Sequence, residues 1–543
     1  MGEPLFDHKE RLLRVYIAHF RCHPFFMRFF SFLLLKFEKN DKILITWGSL
    51  LYPCFRMRYS IKKGDLFMRR TKIVCTLGPA SSRPEIMEEM LRSGMNVARF
   101  NFSHGTHEGH GKMIATFRAV RDKLGVPAAV MLDTKGPEIR TGLFAGGKVN
   151  LTAGEPFILY AKERLGDEKG CCLSYPALTA QLKPGDRVLL DDGRLCLRVE
   201  TADAERAVCR VVTGGVLSDR KGINLPGVTV DMPYLSEADK RDLVFGVEQG
   251  VDFIAASFVR RKEDVIALRK FVDYHGGHAI KIISKIESLE GIEHFDEILQ
   301  YSDGIMVARG DMGVEVEYER LPGLQKRFIR GCYAAGKMAI TATQMLESMV
   351  HSPMPTRAEI TDVANAVFDG TSAVMLSGES AAGEYPVEAV RAMARIAEQA
   401  ERDAFAMDVY HSLPYDAAYN DNTNAICDAA CTTARDVRAK AIIAVTKYGQ
   451  TARGMSKFRP LQPIIAATPV EKAFHQLSLS WGVYPVHALN QQSTDELFRH
   501  AADCARQLDL VEKGDLVVIT AGVPLSVSGT TNLLKLQVVG EQD

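Results

Sequence analysis

The chain has no excess charge: Lys+Arg and Asp+Glu each number 67, so nothing in bulk electrostatics draws it to nucleic acid or an acidic membrane, and any anion site must be local. It lacks a spanning segment. The longest suspicious apolar run, residues 25–35, is broken by Arg28 and falls short of the ~20 residues a membrane helix needs. No small-x-small cleavage site follows, which speaks against a secretory signal. Its 11 cysteines include no C-x-x-C pair and no metal-ligand spacing. Several, such as Cys75 and Cys209, sit in apolar strand-like runs, as reduced core thiols of a cytoplasmic protein do. Low-complexity tracts and short-period repeats are missing too.

What is present is length and alternation. At 543 residues the chain is expected to divide into about three or four domains. Residues 1–67 are a different material, crowded with aromatics and without clean periodicity. Lys63-Gly64-Asp65 can be encoded as a purine-rich ribosome-binding sequence just before the codon of Met68. Translation is therefore expected to start at Met68 in a bacterial source, with no fold in residues 1–67.

From Met68 onward, eight apolar runs (72–76, 96–100, 128–133, 252–257, 279–284, 304–308, 338–343 and 372–376) are hydrophobic on both faces, as buried parallel strands are. Helical patterns over 84–92, 237–248, 263–274 and 387–402 separate them. Eight such units predict an α/β fold, a (β/α)8 TIM barrel, in two pieces, 68–135 and 232–402. Between the pieces, 136–231 reads as short alternating strands with turns at 183–186 and 191–193, an inserted all-β lid on the face where barrels do chemistry. After a linker at 415–424, residues 403–543 form a C-terminal open α/β domain, with helices over 429–440 and 494–508 and strands over 441–446, 463–467 and 515–520.

The fifth and sixth runs end in Lys285-Ile286-Glu287 and Arg309-Gly310-Asp311. In extended chain, residues two apart project to one side, so Lys285 and Glu287 are expected to face together, as are Arg309 and Asp311. One ammonium and two carboxylates would then converge. Two carboxylates with room for water and substrate oxygens suit Mg²⁺ or Mn²⁺, and a lysine beside them can neutralise a phosphoryl group in transfer. A structural salt bridge at the barrel rim is the bland alternative, and it explains both segments together less well than either alone.

These segments, with Thr76-Leu77-Gly78-Pro79-Ala80-Ser81, Arg99-Phe100-Asn101-Phe102-Ser103-His104-Gly105, Asp133-Thr134-Lys135-Gly136-Pro137-Glu138 and Ala342-Thr343-Gln344-Met345, resemble the pyruvate kinase family from Met68 to the C-terminus. The resemblance implies phosphoryl transfer from phosphoenolpyruvate to ADP in the last step of glycolysis. It implies that Glu287 and Asp311 bind Mg²⁺, that Lys285 and Arg99 hold the phosphoryl group, and that Thr343 lies beside the enolate carbon. The backbone amides of Ala308, Arg309, Gly310 and Asp311 would receive the substrate carboxylate. Asn101, Ser103, Asp133 and Thr134 match the family's K⁺ site, and Glu138 agrees, because K⁺-independent relatives tend to carry lysine there. ADP or ATP would contact Arg99, His104, Arg140 and Lys221.

In the C-terminal block, Thr446, Lys447, Gly449, Gln450 and Thr451, with Gly529 and Thr530, are similar to the family's effector loops. A sugar phosphate or AMP is the expected activator, although Tyr448 and Gln450 depart from the commoner wording. The family implies a cytoplasmic homotetramer with no nucleic-acid or membrane partner. Two G-x4-G-K matches, 142–148 and 331–337, lack the following Ser or Thr of a phosphate loop, and the Arg309-Gly310-Asp311 tripeptide has no export signal to make it adhesive. A carbon–carbon lyase of the same substrate or a silent metabolite sensor are the competing readings. The lid and K⁺ set speak against the first, and intact Lys285, Glu287 and Asp311 against the second.

Overall fold

The computed structural model describes residues 33–38, 42–47, 68–412, 422–491, 493–525 and 529–541. The chain falls into two units, 1–66 and 67–543. In the first, Leu33–Glu38 and Lys42–Trp47 pair antiparallel from Leu33↔Trp47 to Glu38↔Lys42, where the sequence led us to expect no element. The apolar Leu33–Leu35 and the β-branched and aromatic residues of Lys42–Trp47 account for the pairing. The rest of residues 1–67 lies outside the described residues, as does most of the linker expected at 415–424.

In the second unit, all eight expected runs are strands of one closed parallel barrel. In chain order they are Lys72–Thr76, Val97–Asn101, Ala129–Asp133, Phe253–Ala256, Lys281–Ile286, Gly304–Ala308, Met338–Ala342 and Ala373–Leu376. The fifth is displaced by two residues from the expected 279–284, which puts Lys285 inside the strand. Alternation along each strand decides where side chains go. Val74, Val97, Ala129, Met131, Phe253, Ala255 and Ile283 fill the barrel interior. Their neighbours Ile73, Cys75, Ala98, Val130, Leu132, Ile254 and Ile282 pack outward against the helices. The last inward positions of these strands, or the positions just beyond them, are Thr76, Arg99, Asp133, Ser257, Lys285 and Glu287. Their parity delivers them to the C-terminal mouth of the barrel.

The lid, between Ile139–Arg140 and Gly222–Asn224, is a seven-stranded sheet with a separate two-stranded pair, closed over its own core around Phe157, Leu159, Leu190 and Leu197. The C-terminal domain is a five-stranded sheet ordered Val483–His487, Ile464–Thr468, Ala441–Val445, Leu516–Gly522 and Thr531–Val538, the last strand antiparallel. The sequence reading missed its first and last strands. Val483–His487 carries Pro485 and Thr531–Val538 is half exposed and polar on one side, so neither shows the continuous apolar run of a buried parallel strand. No helix among the described residues is long and apolar enough to cross a membrane.

Candidate active site

At the mouth, Lys285 Nζ lies 2.7 Å from Ser257 Oγ, 3.1 Å from Asp133 Oδ1 and 3.0 Å from Glu287 Oε1. Arg99 closes the other side, donating from Nε to Asp133 Oδ2 at 2.7 Å and from Nη1 to Thr76 Oγ1 at 2.8 Å. Strand register explains the convergence. Thr76 pairs with Arg99, and Asn101 with Asp133, across neighbouring strands.

The cluster is buried, with Asp133 and Glu287 each 1 % exposed. Burial alone would raise the Asp133 carboxyl, but the adjacent Arg99 and Lys285 overcome it and hold the group below its ordinary range. For Lys285, burial works against the charged form and is outweighed by Asp133 and Glu287, so the ammonium is held above its usual value. It stays protonated throughout the physiological range. Glu287 is displaced upward by burial and by the Asp311 carboxylate, with Lys285 opposing. Burial raises Asp311 as well.

The pair Glu287 and Asp311 is thus two desolvated carboxyls in contact, an arrangement that a hard cation relieves. No cluster of three or more His, Cys, Asp or Glu capable of holding a metal occurs among the described residues. Two carboxylates without a full protein cage fit Mg²⁺, which keeps waters and takes substrate oxygens. For K⁺, the donors agree in type: Asn101 beside Asp133 by register, the Ser103 N–H turned onto Asn101 Oδ1 at 3.1 Å, and Thr134 next in chain. Asp133 already shares its charge with Arg99 and Lys285.

One expectation fails. Arg309 and Asp311 do not face the same way, because Arg309–Glu315 is helical and residues two apart on a helix diverge by about 200°. The Arg309 guanidinium points away from the cluster, to Asp362 at 2.7 Å and the Thr343 carbonyl at 2.6 Å, and braces the loop after the seventh strand. The amide row is also partly engaged: Gly310 N–H donates to Thr343 Oγ1 at 2.8 Å, and that hydroxyl donates to the Ala342 carbonyl at 2.7 Å. A bound carboxylate would have to take over the Gly310 bond. Thr343 and Gln344 have φ of +67° and +55°, left-handed backbone that a β-branched residue rarely adopts and that concentrates at functional sites.

Above the mouth a cleft of about 210 Å³ runs between lid and barrel, lined among others by Glu138, Asn224, Phe258, Asp311 and Glu315. Asn224 of the lid donates to Glu315 Oε1 at 3.2 Å. Arg140 and Lys221 share one lid edge, since Gly222 pairs with Arg140. Both are engaged, Arg140 with Glu138 Oε2 at 2.7 Å and Lys221 with Asp191 Oδ1 at 2.7 Å. The exposed His104 stands on the loop after the second barrel strand, its carbonyl 2.7 Å from His110 Nε2. In the C-terminal domain, Thr446 Oγ1 accepts from Gly449 N–H at 3.0 Å, and Thr451 Oγ lies 2.6 Å from Thr531 Oγ. This brings the 446–451 and 529–531 loops together, Lys447, Gln450, Gly529 and Thr530 among them.

Ser257 and Phe258 were missed. Ser257 Oγ sits between Lys285 Nζ, Asp133 and the Thr134 carbonyl. The Phe258 N–H, held at φ +52°, donates to Glu287 Oε2 at 2.5 Å. The signal for Ser257 was a single polar residue closing an apolar strand run. For Phe258, whose contribution is its backbone, there was none.

A closed parallel barrel that brings a charged, buried lysine and paired carboxylates to its C-terminal mouth, under a β lid, defines a barrel phosphotransferase. Residues 68–390 match the family described as pyruvate kinase, barrel domain, and residues 424–537 that described as pyruvate kinase, alpha/beta domain. The chain is 49 % identical over 473 residues to the pyruvate kinase of Clostridium acetobutylicum, covering 87 % of this chain and 100 % of that protein. It is 47 % identical over 475 residues to that of Geobacillus stearothermophilus, covering 87 % and 81 %, and 45 % identical over 475 residues to that of Clostridium perfringens, covering 87 % and 100 %. The chain belongs to the pyruvate kinase family.

Proposed function

We propose that the chain moves the phosphoryl group of phosphoenolpyruvate to ADP, giving pyruvate and ATP. The observation that carries this reading is the Lys285 side chain, set between Asp133, Ser257 and Glu287. In this dry mouth, a fixed ammonium stabilises charge that moves between phosphoryl oxygens far better than it would in water. Glu287 and Asp311 would hold Mg²⁺, and Asn101, Ser103, Asp133 and Thr134 would hold K⁺; these ions supply positive charge for the phosphate oxygens. Arg99 binds the phosphoryl group from the barrel wall. The amides at 308–311 orient the substrate carboxylate, and Thr343 sits where a proton reaches the enolate carbon. Arg140, Lys221 and His104 contact the nucleotide phosphates as the lid closes over 136–231 and excludes water.

A coupled assay of pyruvate release from phosphoenolpyruvate and ADP tests the reading. Activity is expected to require Mg²⁺ and to fall when K⁺ is replaced at constant ionic strength. Outer-shell partners of a metal already cost about 10–100-fold in affinity. Asp311→Asn, which removes a direct ligand, is therefore expected to raise the Mg²⁺ concentration for half-maximal rate by no less. Folded protein that is silent with every nucleoside diphosphate would sink the assignment.

The regulatory reading rests on the junction of the 446–451 and 529–531 loops at the start of the helix Gln450–Lys457, where hydroxyls and amides can hold a phosphate. Fructose bisphosphate, ribose 5-phosphate and AMP are the panel to assay. At least one is expected to lower the phosphoenolpyruvate concentration for half-saturation, and no shift with any retires the idea. The division into 68–135 with 232–402, 136–231 and 403–543, a cytoplasmic location and assembly as a homotetramer belong to the same reading.

A further inference from the structure

Ser257 stands one residue past the fourth barrel strand, Phe253–Ala256, and is buried. Its backbone is held at both ends. The N–H donates to Thr134 Oγ1 at 3.1 Å, and the carbonyl accepts from the Tyr234 hydroxyl at 3.1 Å. The segment that leaves the barrel for the lid lies directly against it: a Cβ added at Gly136 would come within 2.9 Å of both Ser257 Cβ and the Ser257 carbonyl oxygen. The side chain therefore starts from a rigid point, as a group that orients another must.

The available protons decide what the hydroxyl does there. An ammonium has three N–H bonds, and those of Lys285 meet three partners, Asp133 Oδ1, Glu287 Oε1 and Ser257 Oγ. A serine hydroxyl has one proton. The Thr134 carbonyl can only accept, and at 2.6 Å it is nearer than Asp133 Oδ1 at 3.2 Å, so the proton goes to Thr134 and the oxygen is left to accept from Lys285. The other cation of the mouth is set in the same way. Arg99 Nη1 donates to Thr76 Oγ1, and that hydroxyl donates to the Leu376 carbonyl at 3.0 Å. Each cation thus leans on Asp133 and on one hydroxyl whose direction a main-chain carbonyl fixes.

A serine that merely fastened strand ends would not need this hydroxyl. The third and fourth strands are already tied beyond their ladder by the Ser257 N–H on Thr134 Oγ1 and by the Thr134 N–H on the Ala255 carbonyl at 3.0 Å. What the hydroxyl adds is direction at Lys285. Asp133 and Ser257 take two ammonium protons from the barrel wall, and the third is aimed at Glu287, the carboxylate assigned above to a divalent ion. That third N–H is the one an incoming phosphoryl oxygen can accept.

We infer that Ser257 is a positioning residue of the phosphoryl transfer: its hydroxyl fixes the rotation of the Lys285 ammonium, so that one N–H points into the mouth at the transferring group. The inference rests on the reaction proposed above. Without the hydroxyl the ammonium keeps only its two carboxylates and turns between them, and its charge no longer stands ready where the phosphoryl oxygens arrive.

The coupled assay of pyruvate release tests this on the full chain and its variants, with the fold of each followed by thermal unfolding. Ser257→Ala is expected to lower kcat by about 10–100-fold, the range that a small misplacement of a reacting group costs, while the KM for phosphoenolpyruvate stays within about threefold. Ser257→Cys keeps the space filled but offers only a weak acceptor. It is expected to lose rate as alanine does, and it carries the test should the alanine variant not fold. In the Lys285→Met background, Ser257→Ala is expected to change kcat by less than about twofold, because its effect runs through the ammonium. An unchanged kcat in Ser257→Ala, a Ser257→Cys protein as fast as the parent, or a loss in the Lys285→Met background as large as in the parent overturns the inference and leaves the proposed reaction standing. A parent chain silent in the assay overturns both.

Discussion

Lys285→Met is expected to lower kcat by about 10²–10³-fold or more, the loss that follows removal of one preorganised electrostatic group from a water-excluded site. The KM for phosphoenolpyruvate should change far less, because the lost interaction strengthens as charge moves onto the transferring oxygens and binds the ground state weakly. Methionine preserves the buried stem, and Arg99 still neutralises Asp133 at 2.7 Å, so the fold is expected to survive with unchanged near-UV dichroism. The ammonium is held above its ordinary pKa, so its deprotonation does not shape the pH–rate profile near neutrality. A variant that keeps kcat within tenfold of the parent would remove Lys285 from the chemistry.

The second large effect concerns stability. Glu401, fully buried on the helix Pro386–Ala406, accepts the Arg70 N–H at 3.0 Å on Oε1 and 2.9 Å on Oε2, and the Thr71 N–H at 2.5 Å on Oε1. These amides belong to the segment entering the first barrel strand. The same segment is tied to the C-terminal domain, with Gly482 N–H on the Arg70 carbonyl at 3.0 Å and Lys72 Nζ on the Val483 carbonyl at 2.8 Å. Glu401→Ala strands two buried amides and removes the counter-charge from a basic neighbourhood, at a cost of about 3–5 kcal/mol. Glu401→Gln keeps a carbonyl acceptor and is expected to cost less. Urea unfolding of the three proteins measures this. An alanine variant within about 0.5 kcal/mol of the parent, the range of an ordinary surface change, would show that the contact carries no weight.

Much of the site was legible because strand parity is a local rule. Lys285 and Glu287 share the inward face with Ile283, and spacing alone places them together. Arg309 defeated the same rule. The strand Gly304–Ala308 ends one residue before it, and a change of period from 2 to 3.6 turned its guanidinium onto Asp362. That end point depends on helix N-terminal geometry, which an alternation pattern does not carry. Ser257 illustrates a different limit. Its importance comes from Asp133 and Lys285, 124 and 28 residues away in the chain, and a lone serine has no pattern of its own.

By itself the sequence determined the eight buried runs, the inserted lid, the C-terminal α/β block and the residues that reach the barrel mouth, because apolar periodicity and strand parity act over a few residues. Only the tertiary structure decided which charges meet. It set Arg99 against Asp133, placed Lys285 among three partners and gave Glu401 the entering backbone. The physical reason is that such contacts join segments as much as 331 residues apart. Their energies depend on burial and distance, which exist only once the chain has closed on itself.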